Sequence, residues 1–245
     1  MARYKLLIEY HGTPFVGWQR QNNGISVQGE IEAAILRFCR QQVAVTAAGR
    51  TDSGVHATGQ VIHMDLAKEI SPDEIQGALN YHLKPRPIAV RKVDRVTEDF
   101  HARFSAIGRS YLYRIINRRA PLTIDNQRAW WVRPVLDLQA MTEAAGYLIG
   151  HHDFTSFRAA ACQAKSPEKT LDVLEITRMD EEIRIIAEAR SFLHHQVRNM
   201  VGTLKLVGEG CWPPERVKTA LEARDRAAGG PTAPPDGLYL TGVMY

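Results

Sequence analysis

Cysteine is scarce in this sequence. Cys39, Cys162 and Cys211 are three in 245 residues, an odd number widely spaced, so no disulfide framework is expected and a cytoplasmic location is the default. No CxxC pair or HExxH run occurs, which leaves a zinc site without local support, and no metal is expected. No stretch reaches the roughly eighteen consecutive apolar residues of a membrane helix. The N-terminus runs straight into a strand-like pattern, without the apolar block and cleavage site of a signal peptide. There is no GxxxxGK[ST] run for a phosphate-cradling loop, and Ser53 lacks the GxSxG elbow of a serine hydrolase. Charge of either sign is nearly balanced: 31 basic against 27 acidic residues give +4. That excess favours polyanions only mildly, and where the charges lie matters more than their sum. With 44% hydrophobic and 24% charged residues, the composition is that of a globular protein and excludes a disordered or fibrous chain. The length suits two modest domains or one large one.

What is present reads as alternating α and β segments. Residues 3–10 set Tyr4, Leu6, Ile8 and Tyr10 against Arg3, Lys5 and Glu9, a strand with one buried face. His11 to Gly24 is loop, with an exposed-looking Trp18-Gln19-Arg20. Ser26 is a plausible N-cap for a helix burying Val27, Ile31, Ala34, Ile35 and Phe38. A short strand at 43–48, a polar loop at 49–56 and a strand at 57–66 follow. Ser71, Pro72 and Glu74 make a capping box for the next helix. That helix ends near Leu79 and Asn80, before Pro85 and Pro87, and 88–96 returns to a strand. The order β-α-β-β-α-β is that of a split βαβ sheet covered by helices.

The second half opens on a strand containing Tyr111, Tyr113 and Ile115. Asp137 caps a helix with Met141, Ala144, Ala145, Leu148 and Ile149. Two strands follow at 171–180 and 182–190, then a helix over 193–208, another from Pro213 to Leu221, and a closing strand at 238–244. Residues 229–237 hold too many glycines and prolines for an element interior. The order roughly repeats that of the first half, so the expectation is an α+β protein of two similar halves, 1–105 and 106–245.

One loop stands apart. Ala48 to Gln60 reads AGRTDSGVHATGQ, in which three glycines permit close backbone approach around Arg50, Thr51, Asp52, Ser53 and His56. A carboxylate beside a guanidinium has the chemistry of a nucleophile or base. The same residues also suit a plain turn in which Asp52 and Ser53 bond to nearby amides. His56 has no local acid partner, which favours a structural or hydrogen-bonding role over that of a general base. Tyr111 and Tyr113 point the same way along their strand, and strand aromatics are commonly core.

The stretch GRTDSGVHATGQV is similar to the signature of the tRNA pseudouridine synthase A family. The resemblance continues through YKLLIEYHGTPFVGWQRQ, ARFSAIGRSYLYRI, HDFTSFRA, SFLHHQVRNMVGTL and GLYLTGV, in the family's order from residue 4 to residue 243. It implies isomerisation of uridine to pseudouridine at positions 38, 39 and 40 of the tRNA anticodon stem-loop, with the target base flipped from its stack. It implies the pseudouridine synthase fold, two RRM-like halves with antiparallel sheets forming a central RNA-binding cleft. A homodimer needing neither cofactor nor metal is implied as well. By the resemblance Asp52 is the essential carboxylate, Arg198 its partner, and Tyr111 the ring that stacks on the target base and could serve in proton transfer. Arg50, Leu240, His56, Arg158 and Lys165 are expected to contact substrate, Leu240 by lining the uracil pocket. Gln196 stands where relatives often carry methionine, and Leu112 where they often carry arginine or lysine.

Further basic groups suited to phosphate contact are Arg20, Lys84, Arg86, Arg118, Arg119 and Lys169. Two other readings compete. A non-catalytic RRM-like module would explain the balance of charge, but the sequence has no evident RNP strand. A glycoside hydrolase would need a second carboxylate beside Asp52, and none is singled out. The product separates all three: pseudouridine, unchanged RNA, or free uracil.

Overall fold

The N-terminal alternation forms the strand it predicts. In the computed structural model, which describes residues 1–245, β1 (Ala2–Tyr10) buries Tyr4, Leu6, Ile8 and Tyr10 on one face. β3 (His56–Leu66) and β4 (Ile88–Val96) flank β1, both antiparallel to it. β2 is only Thr46–Ala47 and pairs with Ile62 and His63 of β3, shorter than the strand expected over 43–48. β3 thus lies between β1 and β2, the split arrangement the element order implies. α1 (Val27–Cys39) and α2 (Pro72–Leu83) start where their caps predict: the Ser26 and Ser71 hydroxyls accept from the Gly29 and Glu74 amides, both at 3.2 Å. Each cap stabilises its helix by about 1 kcal/mol.

The chain divides into two compact units, Met1–Ile107 with Tyr239–Tyr245, and Gly108–Leu238. The closing strand, β10 (Leu238–Met244), therefore departs from the expected division, which left it with the second half. Its Tyr239 and Leu240 pair in parallel with His56 and Ala57 of β3. β1 covers one edge of β3, and β2 and β10 each pair with two residues along the other. A two-residue parallel pairing so distant in sequence carries no hairpin signal, and local pattern cannot reveal it.

β3 is buried on both faces over most of its length. One face meets a small core of Ala48, Val61 and Ala102, with Leu7, Phe100 and Val243 packed against it. His63 lies on this side, and its Nδ1 accepts the Ala102 amide at 3.1 Å. Burial first, then the nearby positive charge of Arg3 and of His101, pushes its imidazole down to about 4, with Asp65 opposing. A depressed histidine stays neutral in the fold while the unfolded chain takes a proton, so stability falls as pH drops from about 6.5 toward about 4. His63→Asn keeps an acceptor for the Ala102 amide but cannot titrate. Urea unfolding at several pH values between those limits is expected to show a shallower decline for the variant. Parallel declines would assign the acid sensitivity elsewhere.

The second unit is antiparallel, in the order β5 (Gly108–Asn117), β9 (Glu182–Ala189), β8 (Glu168–Met179), β7 (Gly150–Asp153). A short β6 (Trp130–Val132) runs parallel to the end of β5. β9 lies between β5 and β8 as β3 lies between β1 and β2, so the split arrangement of the first unit recurs in the second, with β6, β7 and α5 added. The α+β class thus holds in both units. α3 (Leu138–Gly146) packs on β8 and on α4 (Gln196–Gly208), and α5 (Glu215–Glu222) packs on α3. α4 begins three residues later than the apolar pattern suggests. His195 takes a left-handed conformation (φ 63°) and the Gln196 side chain turns back to accept the Leu193 amide at 2.8 Å. All three cysteines are free, and no helix is long and apolar enough to cross a membrane.

Candidate active-site loop and its supports

The loop between β2 and β3 is held largely through its own backbone. The Gly49 carbonyl accepts the side-chain amide of the fully buried Gln60 at 2.9 Å. The Thr51 carbonyl accepts the Trp18 amide at 3.0 Å, and the Asp52 carbonyl accepts the Val55 amide at 3.1 Å. The Ser53 hydroxyl donates to the Phe15 carbonyl at 3.2 Å. This lattice leaves Asp52 half-buried and Arg50 exposed. Arg50 makes no ion pair or hydrogen bond, so the adjacent guanidinium is not what orients the carboxylate. The segment 11–18 supplies the other wall. Gly17 has φ +114°, and a Cβ there would sit 2.8 Å from the Thr51 carbonyl oxygen and 3.2 Å from the Asp52 carbonyl carbon. Only glycine permits that conformation at that distance. Trp18, expected to be exposed, is 3% exposed. It packs near the Tyr10 ring at a centroid distance of 6.1 Å, because its backbone is clamped between Thr51 and Gln28.

Tyr10 and Thr51 share a buried hydroxyl pair at 2.8 Å, one residue before Asp52. Burial pushes the Tyr10 phenol up to about 12, against hydrogen bonds with Thr51 and Gln60 that lower it, so it remains neutral at physiological pH. Tyr10→Phe removes the hydroxyl and leaves Thr51 with a buried, poorly satisfied oxygen, a loss of about 1–3 kcal/mol. The thermal midpoint is expected to fall by roughly 2–12 °C for a chain of this size. Calorimetry checks this, and an unchanged midpoint would mean that the pair contributes nothing.

His56 is a support rather than a contact surface. Its ring is 1% exposed, stacks on Tyr239 at 4.6 Å and lies 4.7 Å from His11. Its Nδ1 accepts the Gly12 amide at 2.9 Å, which ties the 11–18 segment to the start of β3. A ring so enclosed presents no face to RNA, so the expected substrate contact gives way to a positioning one. Leu240 is fully buried in β10 beside Ala57.

In the second unit Tyr111 is half-buried on β5, its ring edge-on to Phe192 at 5.2 Å. Tyr113, two residues on, is core, and its hydroxyl donates to the Pro234 carbonyl at 2.8 Å. Arg198 is half-buried on α4, and its Nε donates to the Ala233 carbonyl at 2.8 Å while the Ala233 amide donates to the Arg198 carbonyl at 3.1 Å. The 229–234 segment lies directly on this helix. Asn199 Oδ1 accepts from the Thr232 hydroxyl at 2.6 Å and from Arg226 at 3.2 Å. Thr203 accepts the Gly230 amide at 2.9 Å. These supports, together with Tyr10, Thr51 and Gln60, were not singled out as functional by sequence reasoning. Tyr10, Thr51, Gln60, Asn199 and Thr203 lie within the long motif blocks, whereas Arg226, Gly230, Thr232 and Ala233 lie outside them and carry no such signal.

The basic groups fall into two sets. Arg20, Arg86 and Arg118 are tied to Glu32, Glu30 and Glu181 at 3.2, 3.2 and 2.9 Å, and Lys169 donates to main-chain carbonyls of Ser166 and Glu168. Arg158 is half-buried; against burial, hydrogen bonding with Thr155 and then the charges of Arg224 and Arg158 hold the Asp153 carboxyl below its ordinary value. Lys84, Arg119 and Lys165 are exposed and make no side-chain contact of this kind.

Known proteins share this chain from end to end. A family model described as tRNA pseudouridine synthase matches residues 6–105 and 144–245, leaving Tyr111 between the matched stretches. The tRNA pseudouridine synthase A of Paramagnetospirillum magneticum is 65% identical over 245 residues, spanning 100% of this chain and 96% of its own. The enzymes of the same name from Rhodospirillum centenum and Parvibaculum lavamentivorans are 61% and 56% identical, each over 100% of both chains. The chain belongs to the tRNA pseudouridine synthase A family.

Proposed function

We propose that this enzyme isomerises uridine to pseudouridine in tRNA through the Asp52 carboxylate. The observation that carries the reading is full-length membership of the family, joined to a loop whose every support leaves the Asp52 side chain at a half-buried position. The reaction breaks the N1–C1′ bond, turns the uracil and joins C5 to C1′. A proton leaves C5 and one is gained at N1, so the sum is redox-neutral. A carboxylate serves by taking the ribose C2′ proton, or by adding at C1′ or at uracil C6, and each route needs it ionised. The base must leave its stack to be reached.

Arg198 and Tyr111 keep the roles the family resemblance implies: a cation that keeps a reactive carboxylate ionised, and a ring that receives the unstacked base. Lys165, Lys84, Arg119 and Arg50 are the cations best suited to phosphates, since no carboxylate neutralises them. Positions 38, 39 and 40 of the anticodon stem-loop, a homodimer working in the cytoplasm, and independence of metal complete the proposal. The test is incubation of metal-free protein with unmodified tRNA, followed by position-resolved pseudouridine mapping and sedimentation. Pseudouridine at those positions supports it. Free uracil would make the enzyme a hydrolase, and tight binding of unchanged tRNA would make it a binding module.

A further inference from the structure

We propose that the Phe104 ring is a preformed stacking platform for a nucleobase of the tRNA, outside the residues assigned to the reaction. The proposal rests on the reading of tRNA as substrate. Phe104 is 75% exposed, more than any other aromatic residue of the chain. The loop is tightly built. The His101 amide donates to the Ser105 hydroxyl and the Ser105 amide returns to the His101 carbonyl, both at 2.9 Å. His101 Nδ1 accepts the amides of Arg103 and Phe104, each at 3.2 Å, which places any ring proton of a neutral His101 on Nε2. Below the loop, the Ala102 amide is bound by His63 at 3.1 Å and its carbonyl by the Tyr245 hydroxyl at 2.8 Å. The Ile107 amide is fixed to Met244 at 2.9 Å.

Within this frame the phenyl ring is backed on one side. The His101 imidazole stacks on it at 4.3 Å with 28° between planes, and the Arg103 guanidinium carbon lies 5.7 Å from its centroid. An imidazole and a guanidinium thus accompany the ring, planar groups that share base stacking in RNA recognition. Because the loop is already ordered, stacking costs little conformational freedom. A base held here adds affinity without reading sequence, since every base offers a π-face.

The experiment measures equilibrium binding of an unmodified tRNA transcript to the parent, Phe104→Leu, Phe104→Ala and Phe104→Trp, with sedimentation of each protein. Phe104→Leu preserves apolar bulk and removes the π-face, so it separates stacking from simple hydrophobic contact. Leu and Ala are each expected to weaken tRNA binding by about 5- to 100-fold, the scale of one base–aromatic stack, while Trp stays near the parent. Parent-like binding by Phe104→Leu would overturn the platform. So would a change in oligomeric state with tRNA affinity retained, since the ring would then serve contact between protein copies. A parent that neither binds tRNA nor forms pseudouridine would instead overturn the functional reading beneath the proposal.

Discussion

Asp52→Asn is expected to abolish pseudouridine formation while leaving tRNA affinity close to that of the parent. The amide preserves the shape of the side chain, and the loop that carries it is fixed by bonds from Gln60, Trp18, Val55 and Ser53 that do not involve the carboxylate. What is lost is a group able to take a proton or form a covalent bond. The rate should therefore fall by more than roughly 10²–10⁴-fold, the usual scale for one acid–base group. Single turnover on unmodified tRNA, with a separate binding isotherm, separates the two quantities. Turnover near that of the parent would remove Asp52 from the chemistry. A parallel collapse of affinity and rate would make the carboxylate a part of the loop's architecture instead.

The second large effect is on stability, and it reverses what helix propensity alone predicts. Alanine is favoured over glycine inside a helix by about 1 kcal/mol. At Gly202, on α4, a Cβ would lie 1.8 Å from the Pro231 carbonyl oxygen and 3.2 Å from the Ala233 amide nitrogen. Backbone on both sides means that neither can yield as a flexible side chain would. Gly202→Ala must push the 229–234 segment off the helix, straining the Thr203–Gly230, Asn199–Thr232 and Arg198–Ala233 bonds together. Overpacking of about 1–3 kcal/mol and at least one unsatisfied buried group of similar cost are expected. Gly77, on α2, has nothing within 4 Å of where its Cβ would be. Gly77→Ala should therefore stabilise by up to about 1 kcal/mol. Denaturant unfolding of the two variants is the measurement. Shifts of the same sign would show that propensity, not the Pro231 contact, governs Gly202.

The elements with a local cause were legible. The Ser26 and Ser71 caps, the strict alternation of β1 and the proline-free run of β10 each produced an element near its expected bounds. What escaped depended on partners far away in sequence. Trp18 looked exposed because it sits in a loop and is followed by Gln19 and Arg20, and its bonds to Thr51 and Gln28 draw it inward. β6 is three residues long and exists through its pairing with Ile115, Ile116 and Asn117. The chemistry around Asp52 was readable as a family motif, but its scaffolding was not. Tyr10 looks like any other buried strand aromatic until its hydroxyl is found against Thr51. His56, placed by pattern among possible substrate contacts, is enclosed by Tyr239, a residue more than 180 positions downstream.

The return of β10 to the first unit also bears on how the protein is made. Domains usually fold as they leave the ribosome, N-terminal part first. Here residues 1–107 emerge early but lack the strand that pairs with His56 and Ala57 and brings Val243 to the small core. Until residues 239–245 are synthesised, Ala57 pairs with β1 on one side only, and the other edge of His56 and Ala57 stays open. The nascent first unit is thus an incomplete sheet throughout translation of the second, a stage at which exposed strand edges favour aggregation and chaperone capture.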